Sequence, residues 1–119
     1  MNLGRVGEEL AVRFLKERGH DILEQNFRFA HGEIDIISYH KGVLIFTEVK
    51  TRKSTRYGRP MEAVDRFKRR QIYTTAEYYL STQSVRYHAS RFDVIEVLIG
   101  EQSMIHYIKN AFDGNDLEV

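Results

Sequence analysis

Apolar positions recur along this chain at two periods. Over residues 3–18 they fall at Leu3, Gly7, Leu10, Ala11, Phe14 and Leu15, which is one face of a 3.6-residue helix, and Gly19 follows as a C-terminal stop. Residues 22–29 (ILEQNFRF) then read as a strand. The segment 32–50, GEIDIISYHKGVLIFTEVK, reads as two strands joined by a tight turn at Lys41-Gly42, because glycine supplies the positive φ such a turn needs. A polar loop, TRKSTRYGRP, ends at Pro60, which suits entry into a helix. That helix is predicted over 61–82 from a looser apolar stripe of Ala63, Phe67, Ile72, Ala76, Tyr79 and Leu80. RFDVIEVLI (91–99) and MIHYIK (104–109) close the pattern as two strands around Gly100-Glu101. The tail 111–119, AFDGNDLEV, is short and acidic and is expected to fray.

The order α-β-β-β-α-β-β predicts an α/β fold in which a central mixed sheet of about five strands is flanked by two main helices. At 119 residues the chain is expected to form one domain, 1–119, able to bury roughly two-thirds of its unfolded surface. There is no cysteine, which excludes a disulfide framework, a thiolate zinc site and a thiol nucleophile. No apolar run approaches the ~20 residues that cross a bilayer, and the N-terminus MNLGRVGEEL has no signal-like apolar core. These features suit a reducing cytoplasm, and no membrane partner is expected.

Candidate chemistry concentrates in the 32–50 hairpin. Side chains alternate faces along a strand, so Glu33 and Asp35 share a face of the first strand, and Glu48 and Lys50 a face of the second. With the turn centred on Lys41-Gly42, opposed residues carry numbers that sum to 83. Asp35 then faces Glu48 and Glu33 faces Lys50, with directly opposed side chains ~5 Å apart. Like charges so placed destabilise a sheet, and a divalent cation removes that objection. Leu44 and Phe46 precede Glu48 on its face, so the charge continues an apolar row from core to cleft. Glu33 reads equally as a further ligand or as the partner of Lys50 in a cross-strand ion pair.

On the N-terminal helix, at 100° per residue, Glu8 borders the apolar face and Glu9 points to solvent. A first-turn acid complementing the helix dipole is the plain alternative for Glu8. A net charge of +1 does not mark a nucleic-acid binder, but its distribution does more. Lys50, Arg52, Lys53, Arg56, Arg59, Arg66, Lys68, Arg69 and Arg70 are nine of the eighteen basic residues, opposed only by Glu62 and Asp65. A phosphate backbone passing the hairpin would meet this stretch; alone, it is also what a solvated helix face looks like. Tyr57 and Tyr73 read either as base-stacking or as packing residues. The five histidines have no ligand spacing and read as ordinary surface or turn residues, with His31 the exception that is placed near the candidate site.

Asp35, twelve residues, then Glu48-Val49-Lys50 resembles the PD-(D/E)XK nuclease core of the restriction-endonuclease-like fold. GEELA (7–11), NFRFAHGEIDII (26–37), FTEVKTR (46–52), GRPMEAVDRFK (58–68) and RFDVIEV (91–97) more closely resemble the bacterial YraN-like family, placed beside the archaeal Holliday junction resolvases. The resemblance implies a Mg²⁺- or Mn²⁺-dependent endonuclease acting on DNA. Asp35 and Glu48 would be metal ligands with the backbone carbonyl of Val49, Glu8 would complete the site from the first helix, and Lys50 would act on the attacking water and the phosphate. Mg²⁺ needs only one or two carboxylates, since it keeps several waters. Nothing in the sequence suggests base-specific readout, so the expected substrate is branched or damaged DNA, and cutting two strands favours a two-fold homodimer. The alternatives are a nucleic-acid-binding module that keeps the fold with little independent cleavage, or an interaction protein with a vestigial site. Arg91-Phe92-Asp93 is assigned a structural role, with Asp93 pairing a basic residue.

Overall fold

Lys41 and Gly42 both adopt positive φ, 51° and 82°, and this two-residue turn joins β2 (Gly32–His40) to β3 (Val43–Lys53). Two consecutive positive φ values match the twist of the flanking strands and fix their register. His40 pairs with Val43 and Ile36 with Thr47, so every paired number sums to 83, as the sequence implied. The computed structural model describes residues 2–53 and 66–112. The elements that complete it are α1 (Leu3–Glu17), β1 (Asp21–Phe29), α2 (Arg66–Thr82), β4 (Ala89–Ile99) and β5 (Met104–Phe112). The residues 54–65, with Tyr57, Pro60, Ala63 and the start predicted for the second helix, lie outside the described residues.

The five strands form one mixed sheet in the order β1-β2-β3-β4-β5. β3 and β4 run parallel and the other neighbours antiparallel. This is the predicted α/β architecture with the restriction-endonuclease-like element order. α1 starts at Asn2, whose side chain accepts from the Arg5 N–H (3.2 Å), and it ends at Gly19 with φ 90°. There His20 N–H bonds to Leu15 O and Gly19 N–H to Lys16 O, which satisfies carbonyls the helix end leaves free.

Each face of the sheet carries its own core. On one, Ala11, Val12 and Leu15 of α1 pack with Ile36, Ile95 and Val97. On the other, Ile72, Ala76 and Tyr79 of α2 pack with Ile34, Ile37, Leu44, Phe46, Val94 and Phe112. Tyr73 belongs to this second core, with its ring 4.6 Å from Phe92 and edge-on to it, so of the two readings of Tyr73 the packing one holds.

Three expectations change. The sequence places Ala111 and Phe112 in a fraying tail, but both lie in β5, and Phe112 is buried against the α2 core. Phe67 belongs to the predicted apolar stripe of the second helix, yet it is 72% exposed. Its position is about 140° around the helix from Ile72; it lines up with Arg70, Gln71, Thr74 and Tyr78 instead. The strict alternation along β2 is also interrupted, although Glu33 and Asp35 still line one cleft. Ile34 packs on the α2 side but Ile36 on the α1 side, so the alternation is interrupted at Asp35. β1 is interrupted at the same level. Gln25 pairs with Ile36 and Phe27 with Ile34, leaving Asn26 opposite Asp35, and Asn26 has φ 54°.

Candidate metal and nucleic-acid site

The β2–β3 ladder has Ile36 and Thr47 as its last paired residues, and Asp35 and Glu48 come next. Here β2 bonds to β3 through a side chain: the Asp35 carboxylate accepts the Val49 N–H at 2.7 Å. Glu48 continues the Leu44–Phe46 row and is 7% exposed. Burial pushes the Asp35 carboxyl up to about 8; the nearby Glu48 charge adds to this, the Val49 N–H opposes it, and Glu8 and Glu33 raise it further. Two acids are thus gathered where neither solvent nor a cross-strand cation neutralises Asp35. They open onto a cleft of about 180 Å³, with Glu33, Asp35 and Glu48 on the sheet side, Lys68 and Gln71 on the α2 side, and His31 at the β1–β2 turn.

Both helices reach this end of the sheet through glycines. A Cβ on Gly7 would lie 1.8 Å from Thr51 Oγ1 and 2.8 Å from Thr51 Cβ, so α1 lays its backbone against the Thr51 side chain of β3. A Cβ on Gly32 would lie 2.0 Å from Thr75 Oγ1 and 2.6 Å from the Gln71 carbonyl oxygen, which seats α2 on β2 in the same way. Gly7→Ala is expected to lower stability by roughly 1–3 kcal/mol, because overpacking must push the helix off the strand. A shift in the urea midpoint at unchanged m-value measures this; an unchanged midpoint would show that the contact yields freely.

The seating of α1 places Glu8 as the sequence anticipated. Glu8 is half-buried, while Glu9 is exposed and pairs with Arg5 (3.5 Å). Asn26 links Glu8 to the sheet. With its amide nitrogen turned toward the two acids, it donates to Glu8 Oε1 (3.1 Å) and Glu33 Oε1 (2.9 Å). Glu33 also meets Arg28 (3.5 Å), not Lys50, and the expected Glu33–Lys50 pairing is absent because the strands have already parted. Among the described residues, no group of three or more His, Asp or Glu side chains is arranged to hold a metal ion. The oxygen donors in place are the two carboxylates of Asp35 and Glu48.

The basic residues divide by what they touch. Lys68 Nζ lies 2.7 Å from Glu48 Oε1, so the ammonium on Glu48 comes from α2. Lys50 is half-buried two residues along β3, beside Glu96 in the parallel ladder. Arg52 also engages Glu96 (3.1 Å), which withdraws it from the open surface where a phosphate would be met. Arg66 and Arg70 are exposed on α2, Arg69 is half-buried, and Lys53 is exposed at the end of β3. Arg56 and Arg59 lie outside the described residues.

Sequence reading missed Asn26, Gln71 and the Lys68–Glu48 pair. A signal for Gln71 existed, since it follows Lys68 by three residues and so shares its helix face. Asn26 carried one too: Asn tolerates positive φ, and its place opposite Asp35 follows once Phe29 is paired with Gly32. Asp93 has the structural role expected of it. It is buried, bonds Arg91 (3.0 Å) and the Tyr107 hydroxyl, and accepts the Asn110 N–H (2.8 Å). The β4–β5 register shifts there, and Asp93 holds the N–H that the shift leaves unpaired. Of the other histidines, His20 bonds Ser38 (3.0 Å) and stacks on His40; burial first, then the His40 charge, takes it down to about 4.

Comparison with known sequences adds one family. Residues 7–97 match the profile of Uncharacterised protein family UPF0102. A UPF0102 protein of Alkaliphilus metalliredigens is 42% identical over 111 residues, covering 93% of this chain and 97% of that protein. One from Geotalea daltonii is 49% identical over 113 residues, covering 93% and 89%. One from Clostridium acetobutylicum is 45% identical over 112 residues, covering 92% of each.

Proposed function

The chain belongs to the uncharacterised protein family UPF0102, and we propose that it is a divalent-metal-dependent endonuclease of the PD-(D/E)XK type, related to the junction resolvases and acting on branched or damaged DNA. The observation that carries this reading is the buried Asp35–Glu48 pair at the fork of β2 and β3. A carboxyl held so far above its ordinary range is expensive to ionise, and a fold that needed only stability would place an amide there. The donor set fits Mg²⁺ or Mn²⁺: both ligands are hard carboxylate oxygens, and Glu48 already accepts a cation, the Lys68 ammonium at 2.7 Å. When bound, the metal would supply Lewis acidity and a nucleophile at neutral pH.

The chain's own residues do the rest. Asp35 and Glu48 would hold the ion, and Glu8, fixed through Asn26, would add negative charge to the site. Lys50, on the same strand face as Glu48, stabilises charge building on the phosphate. Arg66, Arg70 and Lys53 draw the polyanion to the cleft. A two-fold dimer would present two such sites to two strands.

One observation favours a second reading. Lys68 neutralises Glu48 without a metal, as it would in a nucleic-acid-binding module that no longer cuts. Purified protein incubated with Mg²⁺ or Mn²⁺ and linear, single-stranded, flapped or four-way DNA decides between them. We expect cleavage of the branched forms that chelation abolishes and that co-purifies with the protein. Binding without cleavage on every substrate would favour the module.

A further inference from the structure

A second cavity adjoins the acidic cleft. It is larger, about 280 Å³, and it shares His31 and Gln71 with the cleft as common walls. Its other sides are Phe29, Phe67, Arg70 and Thr74, with Ala30 and Gly32 from the β1–β2 turn. Phe67 stands 72% exposed at its margin. Phe29 is braced from behind by Tyr78, whose ring stacks on it at 3.9 Å and 8°. The result is a slot with two aromatic sides, one of them braced, and Arg70 in its lining, opening beside two carboxylates.

We propose that this groove receives an unpaired nucleobase of DNA, stacked on Phe67 and Phe29, while Arg70 contacts the adjoining phosphate. The proposal rests on the nuclease reading and names the substrate feature that the cleft selects. In a continuous duplex both faces of a base are covered by its neighbours, so only an unpaired or extruded base offers a face to the slot. Base stacking on aromatic side chains is sequence-tolerant, because every base has a π face. The basic rim fits a polyanion better than an apolar peptide: Arg66 and Arg70 are exposed on the same helix. Because cleft and groove share two walls, the seated base would lie within a nucleotide or so of the phosphate presented to Asp35 and Glu48. The enzyme would then cut at flaps, gaps and junctions, where unpaired bases occur.

The test is binding with EDTA present, so that cleavage plays no part. The probes are a duplex with a short single-stranded gap carrying 2-aminopurine and the matching continuous duplex. The gapped form is expected to bind at least tenfold tighter, which is the size of one stacked base, with a change in 2-aminopurine emission. Phe67→Ala, at an exposed position that folding does not need, and Thr74→Tyr, which fills the slot, should each remove most of that preference and leave continuous-duplex affinity unchanged. Equal wild-type affinity for the two probes would overturn the proposal, as would a preference that survives both substitutions. Wild-type self-association that Phe67→Ala abolishes would assign the slot to a second copy of the chain instead. Failure of the nuclease reading looks different: the gap preference persists, yet no DNA is cut with Mg²⁺ or Mn²⁺.

Discussion

Asp35→Asn is expected to abolish cleavage, by roughly 10³-fold or more, while making the metal-free protein more stable at neutral and alkaline pH. The two effects share one cause. Asn keeps an oxygen that can accept the Val49 N–H, so the tie between β2 and β3 survives, but the charge that a cation needs is gone. The stability effect has a definite pH window. The folded protein holds the Asp35 proton up to about pH 8, whereas the unfolded chain releases it near an ordinary value of about 4. A raised carboxyl contributes stability that is complete below pH ~4 and lost as pH rises toward 8. Wild type and variant should therefore melt together at about pH 4 and separate progressively above it, the variant higher. Adding Mn²⁺ to the wild type at pH 8 should reverse the order, with proton release seen in calorimetry. Parallel pH profiles for the two proteins would remove the buried pair as the basis of the site.

The two lysines near Glu48 should separate in kinetics. Lys50→Ala is expected to reduce turnover by roughly 10²–10³-fold with DNA and metal affinity nearly unchanged, since an interaction made mainly in the transition state appears in kcat. Lys68→Ala should do something different. Lys68 competes with a metal for Glu48, so its removal should tighten Mn²⁺ binding, by up to about fivefold for a partly exposed ion pair. Titration of each variant with Mn²⁺, beside single-turnover cleavage, measures both effects. If Lys68→Ala is the variant that loses turnover with affinity intact, the ammonium that serves the phosphate comes from α2 and not from β3.

The hairpin was legible because its determinants are local. One turn, Lys41-Gly42, sets the register, and the register brings Asp35 to Glu48. The helix stop at Gly19 and the Leu44–Phe46–Glu48 row are likewise set by near neighbours. What escaped the sequence depends on contacts between distant segments. Asn26 bridging Glu8 and Glu33 needs α1, β1 and β2 in place together. Phe67 looks like a core residue until the helix is rotated to bury Ile72, Thr75, Ala76 and Tyr79. Arg52 reads as a phosphate contact until β4 arrives alongside with a buried Glu96. Phe112 was discounted for the acidic residues after it, yet one ring in the α2 core outweighs them.

The coordinated break at Asn26 and Asp35 sets a rule for how such a chain can vary. Pairings on either side of the break carry the same sum, Gln25 with Ile36 and Phe27 with Ile34, so both strands slip by the same amount and the ladder recovers its phase. A one-residue insertion or deletion in only one of the strands would invert every side chain beyond it, turning apolar residues out and acids in. β1 already absorbs one uncompensated residue at Leu23, where the register with β2 shifts between Ile22 and Glu24. Between residues 24 and 37, length changes are therefore viable only as compensated pairs, one in each strand, or at the Ala30-His31 turn. A deep mutational scan with single-codon deletions would find this stretch intolerant everywhere but at its tip, with loss at position 26 rescued most effectively by loss at position 35, which restores the ladder and the fold without restoring the acid.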